Sequence, residues 1–174
     1  MGDNMTVSGG GTQGYVVPTE VQDVPKKKGQ GALGTIACDG KGELGVKNYA
    51  KPIDRFCVDV HEGDHRQDWL NRYGPGVCKN VPADKLPKGG PDYQEFLRGS
   101  ECRAHMDSYN CAKAKLNDTE AKLATAEERL KSAKGKDAAA VKQEVEQLKK
   151  DRDDYLRFMD AGALQMMWVY KCKP

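Results

Sequence analysis

The longest regular pattern of apolar and polar positions lies in the C-terminal half of the chain. Between residues 106 and 171, apolar side chains recur every seven residues, with small side chains between them. Such a repeat predicts long amphipathic helices. The pattern is interrupted near Gly135, and pairing Leu123 with Leu148 and Leu116 with Tyr155 keeps one constant sum of residue numbers. We therefore predict an antiparallel helical hairpin that turns at Gly135.

A second helix is predicted upstream, over about residues 52–73. Side chains four residues apart lie on one face of a helix. One such line begins with two apolar side chains and continues with two imidazoles and an indole: Ile53, Cys57, His61, His65 and Trp69. Tyr73-Gly74-Pro75-Gly76 then ends the helix. A further helix is expected to begin near Asp92.

The sequence of residues 1–50 predicts little regular structure. Residues 1–34 are rich in glycine, proline and lysine and are expected to form a flexible tail. Residues 35–50 favour a short strand or hairpin that turns at Asp39-Gly40. The predicted fold class is therefore mainly α with a small N-terminal hairpin. We divide it into the tail, a compact helical core over 35–111, and the helical hairpin with a C-terminal segment, 112–174, that packs on the core.

Composition and charge narrow the possible functions. The 174 residues are 38% hydrophobic and 31% charged, and the net charge of +2 does not indicate a nucleic-acid partner. No apolar run approaches the roughly 18 residues that a membrane span needs. The first six residues show neither the charged nor the apolar part of a secretory signal.

The cysteines indicate an oxidising compartment. There are six of them, and no pair has the C-x-x-C spacing of a zinc knuckle or a redox motif. A Cys57–Cys78 bridge would tie the loop that follows the helix predicted over residues 52–73 back over that helix. The register of the hairpin places Cys102 almost level with Cys172, which predicts that bridge, and Cys38–Cys111 is left by elimination.

A metal-binding motif lies in the predicted helix over residues 52–73. His61-Glu62-Gly63-Asp64-His65 fits the pattern H-E-x-x-H. Residues four apart on a helix differ by only about 40° and roughly 6 Å, so both imidazoles can reach one metal ion. Zinc accepts such ligands and keeps one position open in catalytic sites, while Glu62 is suitably placed for a general base. The alternative is a solvated helix with two surface histidines.

A catalytic zinc site needs a third protein ligand. The extended pattern H-E-x-x-H-x-x-G-x-x-H is absent, because residue 68 is Asp and residue 71 is Asn. Glu101, on a later helix facing the first, is the preferred ligand, and His105 and Asp107 remain alternatives. A helix-surface role for Glu101 is the competing interpretation.

Attack by a zinc-activated water on a carbonyl group would also need a proton acceptor and a donor for the oxyanion. Glu62 is expected to take the proton of a water that Zn²⁺ activates and to pass it to the leaving amine. His105, Tyr109 and Tyr73 are the candidate oxyanion donors, and the sequence does not choose among them.

The motif and its surroundings resemble a known family. The run from Cys57 through the H-E-x-x-H motif, then Cys78-Lys79 with its Pro/Gly loop, and then Ser100-Glu101-Cys102-Arg103-Ala104 and Cys111 resembles the small zinc metallopeptidase domains (zincins) of bacterial polymorphic toxins. Those domains include effectors delivered by type VI secretion. The resemblance covers roughly residues 50–112, and in gluzincin-type zincins a later Glu is the third ligand, which carries over to Glu101. Many gluzincins have Asp where this chain has His105.

The resemblance implies a secreted antibacterial peptidase with a zincin-like core. It also implies a peptide or protein substrate, export without a signal peptide into a compartment such as the periplasm of a target cell, a cognate immunity protein, and a component of the secretion apparatus. Two alternatives stay open at this stage. One is a disulfide-stapled binding or structural module with a structural metal or none, and the other is a zinc amidase acting on peptidoglycan peptides.

Overall fold

Three helices and one β-hairpin make up the part of the chain that the structure describes. In this computed structural model that part comprises residues 33–90 and 92–172, so nearly all of the predicted tail, 1–34, lies outside the described residues. The elements in chain order are β1 (Gly34–Cys38), β2 (Leu44–Asn48), α1 (Arg55–Tyr73), α2 (Tyr93–Ser132), α3 (Gly135–Leu164) and a π-helical turn (Gln165–Val169). The predicted fold class, mainly α with a small N-terminal hairpin, is confirmed.

The hairpin forms where the sequence predicts it. Strands β1 and β2 pair antiparallel, with Gly34 opposite Asn48 and Cys38 opposite Leu44. Gly40 and Gly42 have φ angles of 80° and 104° in the connection, a region that glycine enters without steric cost. On its other side, the end of β1 pairs with the loop after α1, since the Cys38 N–H donates to the Lys85 carbonyl at 3.0 Å.

The main core lies between the hairpin, α1, the following loop and the start of α2. Trp69 is its largest fully buried side chain, at 2% exposure, and it lies on the same face of α1 as the motif histidines. The other buried members of this cluster are Ile36, Cys38, Leu44, Val77, Cys78 and Leu97. This core holds β1 against α1 and brings α2 alongside it.

The predicted helical hairpin is confirmed. Helix α2 ends at Ser132 and α3 begins at Gly135, whose φ of 58° suits a glycine. The predicted pair Leu123 and Leu148 shares one apolar cluster, and Leu116 and Tyr155 share another. Helix α2 runs without interruption through residues 111 and 112, so the predicted core and hairpin have one helix in common.

Three disulfide bonds cross-link these elements, and one of the three expected pairings is confirmed. The bonds are Cys38–Cys78, Cys57–Cys111 and Cys102–Cys172, so the expected Cys57–Cys78 and Cys38–Cys111 bridges are wrong. The reason is the length of α1. Cys57 lies in its first turn, about 24 Å along the axis from the helix end at Tyr73, and Cys78 lies beyond that end. Cys57 instead faces α2, and the core brings Cys38 to Cys78.

The C-terminal segment, residues 165–172, returns to α2 and is covalently attached there by Cys102–Cys172. Only part of it packs as expected. Met166 is buried, whereas Met167 and Trp168 are 60% and 75% exposed. Within residues 33–90 and 92–172, none of the helices combines the length and the apolar character that crossing a bilayer requires.

Candidate metal centre

The four side chains of the candidate centre come from two packed helices. On α1, His61 and His65 are one turn apart, and their Nε2 atoms lie 3.1 Å from each other. On α2, Glu101 and His105 are likewise four residues apart and lie on the face that packs against α1. The same spacing on both helices therefore brings three imidazoles and one carboxylate together.

The separations of these side chains suit a single small cation. The Glu101 Oε2 atom lies 3.4 Å from the Nε2 atom of His65, 4.0 Å from that of His61 and 3.7 Å from that of His105. Tetrahedral zinc with bonds of about 2.0–2.1 Å places neighbouring ligand atoms about 3.3 Å apart. His61, Glu101 and His105 offer ligand atoms that all lie within 4.8 Å of one another, and this group is able to hold a metal ion. His65 lies next to two of its members.

The histidines have hydrogen-bond partners behind them. His65 Nδ1 is 2.8 Å from the hydroxyl oxygen of Ser100, a residue only 1% exposed. The backbone carbonyl of Ala104 accepts a hydrogen bond from the ring of His61. Metal-binding histidines usually donate their second N–H to such a partner, which fixes the ring and its tautomer. Both partners lie on α2, so the helix that supplies Glu101 also orients the rings of α1.

The charges of Glu101 and the three histidines are coupled when no metal is bound. Burial opposes the charge on Glu101, but the adjacent imidazoles, His65 first, outweigh it and lower the pKa of this carboxyl. Burial likewise opposes the charge on His65, and Glu101 outweighs it, so the pKa of His65 is raised. Burial lowers the pKa of His105 to about 4, so that ring is neutral at pH 7. These shifts favour an imidazolium at His65 beside a carboxylate at Glu101 when no metal is bound.

Glu62 lies at the edge of this centre, against strand β1. It is 6% exposed, and a β-carbon added at Gly34 would lie only 2.6 Å from both its Cγ and its Oε1 atoms. Burial raises the pKa of Glu62 to about 7; the charge of His65 opposes this shift and that of Glu101 adds to it. A carboxyl that titrates near pH 7 is well matched to accept and release protons at neutral pH.

The remaining predicted site residues lie elsewhere. Tyr109 packs against the apolar cluster around Cys57 and Met159. The Tyr73 hydroxyl donates to the Gly89 carbonyl at 3.2 Å, at the far end of α1. Asp107 contacts Asp64, whose pKa is raised by burial and then by Asp107. No contact found for these three in the described residues joins them to the four side chains of the centre, so only His105 among the oxyanion candidates lies there.

Two residues of the centre were not identified from the sequence. One is Ser100, which lies behind His65. The other is Tyr170, whose ring centroid lies 5.5 Å from that of His105 and whose hydroxyl is close enough to Glu101 for the carboxylate to act on it. Burial, and then the negative charge of Glu101, raise the pKa of Tyr170 above its ordinary range, so the phenol keeps its proton. The predicted Cys102–Cys172 bridge is the sequence signal from which the position of Tyr170 near Glu101 could have been inferred.

Comparisons with known proteins leave the centre to be interpreted from its own chemistry. No protein-family model matches the chain, and neither a curated protein nor a solved structure matches it. The resemblance to toxin zincins therefore rests on the motif residues alone.

Proposed function

We propose that this protein is a zinc-dependent metallopeptidase in which His61, His65 and Glu101 hold the metal and Glu62 is the general base. The observation that carries the proposal is the convergence of the two motif histidines, 3.1 Å apart, with a carboxylate from a second helix. Imidazole nitrogen suits zinc among other transition metals, and a set of two His and one Glu leaves a zinc coordination position open. A bound zinc ion would polarise the scissile carbonyl and lower the pKa of a water toward about 7.

Two residues of the chain would supply the proton transfer and the stabilisation of the oxyanion. Glu62 is buried beside the centre and titrates near neutral pH, so it can accept the proton of the attacking water and deliver it to the leaving amine. His105 is neutral at pH 7 and lies beside Glu101. Its ring N–H is the candidate donor for the carbonyl oxygen as negative charge develops there.

The proposal includes where the enzyme acts. Three disulfides indicate an oxidising extracellular or periplasmic environment. We propose delivery to such a compartment of a target cell as an antibacterial effector, with an immunity protein protecting the producing cell. Peptide bonds of proteins are the proposed substrate, and peptide bonds of the cell wall are the second substrate to be tested.

The test compares three variants of the full chain. Glu62→Gln should keep stoichiometric zinc and lose about 10²–10⁴-fold in cleavage of dye-labelled casein, because only the proton acceptor is removed. His61→Ala should lose both zinc and activity. Glu95→Gln, an exposed glutamate in the first turn of α2, is the matched control and should behave as the wild type. A Glu62→Gln protein that cleaves casein at the wild-type rate would refute the general base.

A structural metal is the second candidate, and one observation favours it. His105 offers a fourth nitrogen 3.7 Å from Glu101, and four protein ligands close a tetrahedral zinc site. The two candidates differ in the zinc affinity of single variants. In the peptidase, His65→Ala weakens zinc binding much more than His105→Ala does, whereas equal losses with no cleavage of casein or of purified peptidoglycan indicate a closed structural site.

A further inference from the structure

The C-terminal segment is built against the candidate centre. The Tyr170 N–H donates to the Gln165 carbonyl at 3.1 Å, and the Cys172 N–H donates to the Met166 carbonyl at 2.8 Å. The Cys102–Cys172 disulfide then attaches the segment to α2 at the residue that follows Glu101. Tyr170 lies between these restraints, two residues before the disulfide-bonded Cys172.

The contacts of Tyr170 are directed at metal-binding side chains. Its ring lies 5.5 Å from the His105 ring at an interplanar angle of 35°, and its hydroxyl is close enough to the Glu101 carboxylate for that group to act on it by charge and by hydrogen bonding. A glutamate reaches its metal through three rotatable bonds, so a donor that fixes the carboxylate removes conformational freedom that binding would otherwise have to remove. Tyr170 is placed to act as such a donor toward Glu101.

The disulfide is the covalent link between this segment and α2. Of its large apolar side chains, Met166 is buried, but Met167, Trp168 and Val169 are 60%, 75% and 43% exposed. Apolar burial therefore contributes little to holding the segment in place. We therefore expect the position of the Tyr170 hydroxyl to depend on the Cys102–Cys172 bond, which lies next to Glu101 in the sequence.

We propose that Tyr170 is a positioning residue of the metal centre, held in place by Cys102–Cys172, and that it raises zinc affinity by orienting Glu101. The inference rests on the zinc site of the proposed function and adds the C-terminal segment to it. It makes metal affinity dependent on one disulfide, so the centre reaches its full affinity only where that bond forms.

The experiment measures zinc dissociation constants of the full chain by competition with a chromophoric chelator at pH 7.5. Tyr170→Phe and the double variant Cys102→Ala/Cys172→Ala should each bind zinc about 10–100-fold more weakly than the wild type. The triple variant should be no weaker than the double variant, because both changes remove the same contact. Tyr155→Phe, in the apolar cluster between α2 and α3, is the matched control and should bind as the wild type does.

Unfolding midpoints of the zinc-free proteins separate positioning from general destabilisation, since Tyr170→Phe should leave the midpoint unchanged. The inference is overturned if Tyr170→Phe binds zinc as tightly as the wild type does, even if the double cysteine variant binds zinc more weakly. In that case the proposed function stands if Glu62→Gln still abolishes cleavage. A wild-type protein that binds zinc no better than His61→Ala overturns both proposals.

Discussion

Replacing Gly34 by alanine tests whether the strand and the general base are packed as the structure shows. The added methyl carbon would lie 2.6 Å from the Cγ and Oε1 atoms and 2.9 Å from the Cδ atom of Glu62. Carbon atoms in proteins pack at about 3.5–4.0 Å, so the overlap is about 1 Å. The backbone of Gly34 is an ordinary β conformation, so strain of the main chain does not enter.

The overlap should affect activity more than stability. The atoms in contact belong to the end of a glutamate side chain, which can turn away, so we expect Gly34→Ala to lose about 1–2 kcal/mol of unfolding free energy. A displacement of the carboxylate by about 1 Å costs on the order of 10²-fold in rate. Combined with Glu62→Gln, the substitution should reduce the rate little further, because the group that it displaces is already absent.

The assay is the initial rate of casein cleavage, with zinc content and urea unfolding measured on the same preparations. Gly45→Ala in β2 is the control, since its added carbon would lie 3.8 Å from the nearest atom, the Ala37 carbonyl oxygen, and should leave all three unchanged. Full activity in Gly34→Ala, with zinc bound, would show either that Glu62 does not lie against β1 or that its position is immaterial to the reaction.

Two further predictions concern protons at the centre. Zinc binding at pH 7.5 should release at least about one proton, because Glu101 keeps His65 protonated in the metal-free protein and zinc binds only the neutral ring. Calorimetric titration in buffers of different ionisation enthalpy measures this number, and binding without proton release would contradict the charge assigned to His65. In EDTA, the unfolding free energy of the wild type should fall relative to that of His105→Gln as the pH drops from about 6.5 to about 4. The reason is that His105 takes up a proton in the unfolded chain, whereas the buried ring, with a pKa of about 4, does not accept one. The difference of about 2.5 pKa units corresponds to about 3 kcal/mol, and parallel urea-unfolding curves for the two proteins across this range would rule it out.

The sequence predictions that were confirmed depend on patterns between residues close together in the sequence. The heptad spacing and Gly135 specify the α2–α3 hairpin because each contact repeats the same local geometry. The register of that hairpin was enough to place Cys102 beside Cys172. The i, i+4 spacing likewise put His61 and His65 on one face of α1, and Glu101 lies next to both.

The contacts made across the core were decided by the tertiary structure alone. The length of α1 separates Cys57 from Cys78, but that Cys57 meets Cys111 depends on how α1 lies on α2, which no local pattern encodes. The missing side chain of Gly34 matters only once β1 lies against Glu62, and Tyr170 belongs to the centre only because the C-terminal segment folds back onto α2. Periodicity along a chain determines which face of an element is buried, but the partner of that face is selected by the packing of all elements together.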